Sequence, residues 1–142
     1  MIKEESKAKL EPGKVTVKPE EAAKEYIELA SILVNQARVR ARRKDLRGAS
    51  KRLWGAAILA IEAHSSFKKG RWLSTQKELW KYKSEIAEEL GEWVHDAWNA
   101  AVAMYVSFYE GCADLKTATA AIGRIEALVK GVRKVLEGCK TH

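Results

Sequence analysis

The residues best able to do chemistry in this chain are cations. Arg38, Arg40, Arg42, Arg43, Lys44, Arg47, Lys51 and Arg52 place eight positive charges within fifteen residues, opposed in that stretch only by Asp45. Repulsion in so dense a cluster is unfavourable unless anions relieve it, and phosphate is the anion that arginine and lysine bind best. The spacing therefore points to an edge that binds nucleic acid or another polyanion. A charged structural face is the competing reading, because cations suit a helix C-terminus and can pair with glutamates of neighbouring helices. Trp72 follows Lys68, Lys69 and Arg71, which makes it the tryptophan best placed to stack a base beside positive charge. Trp54, Trp80, Trp93 and Trp98 share helical faces with other apolar residues and are expected in the core.

Catalytic patterns are sparse. His64 stands two residues after Glu62 and His95 directly before Asp96, and positions so close along a helix do not face each other. There is no histidine pair at i, i+4, no Cys-x-x-Cys, no glycine-rich phosphate loop and no Gly-x-Ser-x-Gly, so neither a metal nor a cofactor is expected. Glu110, beside Tyr109, is a candidate buried carboxylate. A site assembled across helices, His95 with a distant carboxylate, stays open. Cys112 and Cys139 flank a segment expected to be one helix over residues 114–137, which would hold them roughly 40 Å apart and exclude an internal disulfide.

The elements that must position these groups read as five helices. Pro19 suits a first helical position, with Glu20 and Glu21 near the positive end. Tyr26, Leu29/Ala30, Leu33 and Ala37 then recur at helical spacing, and the helix is expected to reach about Arg43. Asp45 is the expected N-cap of a second helix that ends before Gly70. Its middle, Leu53 to Ile61, is apolar on every side, which marks a buried helix, and Gly55 would let a neighbouring backbone approach. Thr75 with Glu78 has capping-box spacing and opens a third helix, with Leu79, Tyr82, Ile86 and Leu90 inward and Gly91 as its stop. The fourth runs from about Glu92 to Glu110 and is again apolar nearly all round. The fifth places Ala118, Ile122, Ile125, Val129, Val132 and Leu136 on one seam. The expected fold is an all-α five-helix bundle over residues 18–142, helices two and four central, preceded by a flexible N-terminal tail, residues 1–17, in which Val15 and Val17 could form a short extended pair.

Composition agrees with one domain. The chain has 142 residues, 46% hydrophobic and 32% charged, with 2 prolines and 9 glycines. That is enough apolar material for a core, and too little turn punctuation for a strand-rich fold. Lys and Arg total 26 against 19 Asp and Glu, a net charge of +7, which fits an anionic partner. Two cysteines are too few for a disulfide scaffold. No apolar run approaches the roughly 20 residues of a membrane span, and the charged N-terminus lacks the core of a signal peptide. A cytoplasmic protein is expected, and its broad apolar faces suggest a homodimer.

The segment Ala49-Ser50-Lys51-Arg52-Leu53-Trp54-Gly55-Ala56-Ala57-Ile58-Leu59-Ala60 resembles the archaeal PaREP proteins, a family of small helical proteins. So do Lys77-Glu78-Leu79-Trp80 and Ser107-Phe108-Tyr109-Glu110, and the likeness covers nearly all of the expected bundle. That family looks like a branch of the HEPN-type bundles, which implies nucleotide or RNA binding, often as dimers, with toxin-like ribonucleases among the relatives. The ribonucleases carry an arginine followed four to six residues later by a histidine. No arginine stands so before His64, His95 or His142, and Tyr105 occupies a place where a histidine is expected, so no catalytic residue carries over. The leading expectation is a non-catalytic protein that binds RNA or another polyanion through the basic edge. Behind it stand a protein-interaction module, toxin–antitoxin-like or a dimeric scaffold, and an atypical ribonuclease.

Overall fold

A computed structural model describes residues 18–138. The expected N-terminal tail, the Val15 and Val17 pair, Cys139 and His142 lie outside the described residues. The described chain is five helices: α1 (Pro19–Arg42), α2 (Leu46–Lys69), α3 (Gln76–Leu90), α4 (Trp93–Glu110) and α5 (Leu115–Gly138). Among the described residues there is no strand, and no helix is long and apolar enough to cross a membrane.

The helix boundaries follow the local chemistry of the sequence. Pro19 opens α1, with Glu20 and Glu21 in its first turn. Asp45 caps α2 by accepting the Gly48 N–H at 3.0 Å. Gly70 closes α2 in the left-handed region, at φ 67°, where an L side chain would be strained. Thr75 Oγ1 accepts the Glu78 N–H at 3.1 Å, while the Glu78 carboxylate takes the Ser74 N–H at 2.7 Å, one residue before the cap.

Helix α2 is the centre and packs against each of the other four helices. Its contact with α1 is lined with alanine. Besides Ala22 in its first turn, the inward positions of α1 are Ala23, Ile27, Ala30, Val34, Ala37 and Ala41, an alternation of four and three, and α2 buries Ala49, Ala56, Ala57, Ala60 and Ala63. Small residues let the two backbones approach, and Leu33 reaches so close to Gly55 that a Cβ there would lie 3.2 Å from its Cδ1. This close packing corrects the inward stripe of α1. Ala30, Leu33 and Ala37 stay on or beside it, whereas Leu29 turns outward and is 46% exposed.

Helix α4 is central on one face only. Val94, Ala97, Trp98, Ala101 and Met104 are buried, whereas Val106 and Tyr109 are exposed at 42% and 64%. The apolar residues around α4 thus divide between the core and an uncovered surface. The remaining cover comes from α5, whose expected seam from Ala118 to Leu136 is buried throughout.

Candidate nucleic-acid interface

A reversal of three residues, 43–45, separates α1 from α2 and brings the cations of both helices to one end of the pair. The N–H groups of Arg43, Lys44 and Asp45 fold back onto carbonyls of the last turn of α1, and Lys44 takes the left-handed conformation at φ 65°. Asp45 then holds both sides: its carboxylate accepts the Gly48 N–H and, at 2.9 Å, Arg40 Nη1. The Gly48 hydrogen bond first, and Arg40 next, draw the Asp45 carboxyl below the usual carboxylate range.

Within this turn the cations separate into two sets. Arg38 pairs with Glu126 of α5 at 2.9 Å and donates to Asn35 at 2.9 Å. Arg40 is held by Asp45, and Arg52 donates to Gln36 at 3.1 Å and to the Gly48 carbonyl at 3.2 Å. These three are occupied in holding helices together. Arg42, Arg43, Lys44 and Lys51 are exposed, and their side chains make no ion pair or hydrogen bond among the described residues. Arg47 lies between the sets, its guanidinium 5.0 Å from the ring centre of Phe108.

That cation–π contact joins the turn to aromatic residues of α4. Phe108 meets Tyr109 edge-on at 5.1 Å, Tyr109 meets Tyr105 at 4.9 Å, and Tyr105 lies 4.7 Å from Trp54 of α2. Trp54 in turn leans on buried Trp98 at 5.5 Å. The result is a ladder of rings that starts in the core and ends at exposed Tyr109, with Phe108 against Arg47 of the basic turn. Tyr105, Phe108 and Tyr109 were legible as an i, i+3, i+4 set on one helical face, matched on α2 by Arg47, Lys51 and Trp54 at i, i+4, i+7. What the sequence could not give was that these two faces meet.

Other expectations change. Trp72 is half-buried against Tyr26, at 5.4 Å, so it is no open stacking platform. Trp80 is 58% exposed, because α3 turns Leu79, Tyr82 and Ile86 inward and leaves position 80 outside that stripe, and Trp93, at the start of α4, is 37% exposed. Glu110 is exposed, as the last turn of α4 runs past the bundle into solvent.

The histidines sit in polar contacts between helices. His64, nearly buried, lies 2.7 Å from the Tyr82 hydroxyl through Nδ1 and 2.7 Å from Glu89 through Nε2. A neutral ring with its proton on Nε2 satisfies both: it donates to Glu89 and accepts from Tyr82. Burial lowers the His64 pKa despite the raising effect of Glu89, and burial raises that of Tyr82. Burial also opposes ionisation of Glu89, but the His64 hydrogen bond and Lys68, 3.4 Å away, outweigh it and keep the carboxyl low. Glu62 points elsewhere and accepts the buried Leu73 N–H at 2.9 Å. His95 Nδ1 meets Lys83 Nζ at 2.8 Å. Among the described residues no group of histidine, cysteine and acidic side chains could hold a metal ion.

The family model of the archaeal PaREP1/PaREP8 family matches residues 25–129. The chain belongs to this family. The matched segment of this PaREP1/PaREP8 protein runs from α1 into α5, so it includes the basic turn and the aromatic ladder. No curated protein and no solved structure matches the chain.

Proposed function

We propose that this PaREP1/PaREP8 protein binds single-stranded RNA, with phosphates on Arg42, Arg43, Lys44 and Lys51 and bases against the aromatic end of α4. The observation that carries this reading is the contact of Arg47 with Phe108, 5.0 Å. It joins a cation of the basic turn to a ring that meets exposed Tyr109, which supports the reading because single-strand binding pairs charge with stacking surface. The HEPN-type kinship that the resemblance implies would suit an RNA ligand, and we read the protein as cytoplasmic and non-catalytic. The test is fluorescence anisotropy of a labelled single-stranded RNA at low salt. The variant Arg42→Ala/Arg43→Ala/Lys44→Ala/Lys51→Ala is expected to lose at least about tenfold in affinity. Arg38→Ala, which removes a cation already paired with Glu126, is expected to lose far less. Equal affinity of the quadruple variant and the parent would refute the reading.

A second reading rests on α1. Leu29 (46% exposed), Ile32 (49%) and Val39 (38%), with Gln36, form an outward seam at spacings of three, four and three. Such a seam suits a helix–helix contact between two copies of the chain. Light scattering should then give a dimer for the parent and a monomer for Leu29→Glu/Ile32→Glu; a monomeric parent at high concentration rejects it.

A further inference from the structure

At the opposite end of α2 lies a pocket that has no part in the basic turn. Lys68, on its wall, stands about 30 Å along the helix from Arg47 at 1.5 Å per residue. The pocket has a volume of about 680 Å³ and opens between the C-terminal ends of α2, α3 and α5, within the size range of small-molecule sites. Its apolar wall is Leu90, Trp93 and Val135, and its polar groups are Lys68, Lys130, Lys134 and Glu89.

Two features make this wall specific. The Trp93 ring is fixed, because its Nε1 donates to the Leu90 carbonyl at 2.9 Å. Gly131 lets the indole lie against the α5 backbone: a Cβ there would stand 3.1 Å from the ring's Cη2. The charges are also unbalanced. Glu89 already serves His64 and Lys68. Lys130 reaches Glu126 only at 4.0 Å, and Lys134 has no acceptor among the described residues. Spaced i, i+4, Lys130 and Lys134 project from one face of α5 and can close on a single anion.

We propose that this pocket is a second binding site, for a small phosphorylated molecule bearing a planar ring, with the ring against Trp93 and the phosphate between Lys130 and Lys134. Two ammonium groups favour a phosphate dianion over a single carboxylate, and Glu89 keeps the anion away from the Lys68 side. Size and the single tryptophan wall limit the ligand to one ring system. The site does not depend on the RNA reading.

The probes are 1-naphthyl phosphate, 1-naphthol and inorganic phosphate, titrated into the full-length protein by calorimetry, with tryptophan fluorescence as a second readout. 1-Naphthyl phosphate is expected to bind at one site and at least about tenfold more tightly than either fragment alone. Lys130→Gln/Lys134→Gln, surface changes that leave the fold intact by circular dichroism, should weaken it about tenfold or more. Trp93→Phe should weaken it as well and remove the fluorescence response. The quadruple variant of the basic turn should bind the probe like the parent, which separates failure here from failure of the RNA reading. Binding of 1-naphthyl phosphate no tighter than that of its fragments would overturn the proposal. So would an affinity that the lysine pair does not affect, or one lost equally in the basic-turn variant.

Discussion

Lys44 shows how one residue serves two demands. Its left-handed backbone, φ 65°, turns the chain between α1 and α2, and glycine would meet that demand without a Cβ clash. Lys44→Gly is expected to raise unfolding stability by about 1 kcal/mol while lowering RNA affinity. Chemical denaturation and anisotropy measure the two effects, and a loss of stability would contradict the account of the turn. Glu62 works the other way, with a buried carboxylate that holds the loop before α3. Glu62→Ala would leave the Leu73 N–H without that acceptor, at a cost of about 1–3 kcal/mol in denaturant unfolding. Glu62→Gln, which keeps an acceptor, should cost less. Gly48 depends on the same kind of local fit. A Cβ there would press on the Asp45 carboxylate that caps α2, so Gly48→Ala should lower the melting temperature despite alanine's higher helix propensity.

Between elements, the seam of α2 and α3 is tied by His64, Tyr82 and Glu89, and this tie is sensitive to pH. Burial holds the folded pKa of His64 below its ordinary 6.5. The unfolded chain therefore takes up the proton first as pH falls, so stability declines from about pH 6.5 down to the lowered folded value. His64→Gln should flatten unfolding stability over that interval, as read from denaturation midpoints at several pH values. A parent whose stability is level across it would refute the assignment. The helices themselves were largely legible in the sequence. Asp45, Gly70, Thr75, Gly91 and Gly111 mark their ends through caps and turns that depend on nearest neighbours, and the α5 seam is plain periodicity. The α1 face was harder, because Leu29 and Ala30 both fit helical spacing. In the alanine-lined packing of α1 on α2, Ala30 takes the inside and Leu29 turns outward. Helix α4 is ambiguous for a related reason: it is apolar around much of its circumference, and periodicity cannot tell a buried face from an uncovered one.

Across the whole molecule, the two ends of α2 carry different chemistry. One end has the basic turn and the aromatic ladder, the other the lysine-rich pocket beside Trp93. The basic cluster was visible in the sequence as a block, but its division was not. Which arginines are consumed depends on Glu126, nearly ninety residues away, and on Gln36, and sequence spacing does not reveal such pairings. The excess of positive charge, +7 over the chain, should speed association with any polyanion. Charge alone would do so without regard to Phe108 and Tyr109, and this separates general attraction from a built interface. Tyr109→Ala should therefore weaken single-stranded RNA by about 1–3 kcal/mol, as expected for one stacked base, and leave duplex RNA nearly unchanged.

The central claim is that Arg42, Arg43, Lys44 and Lys51 neutralise RNA phosphates, and a salt series on parent and quadruple variant tests it most directly. For the parent, log K against log salt should fall with a slope near −3 or steeper, at about 0.7 per phosphate for a single strand. The quadruple variant should lose most of that slope. Parallel lines for the two proteins, or no binding by the parent even at low salt, would contradict the account.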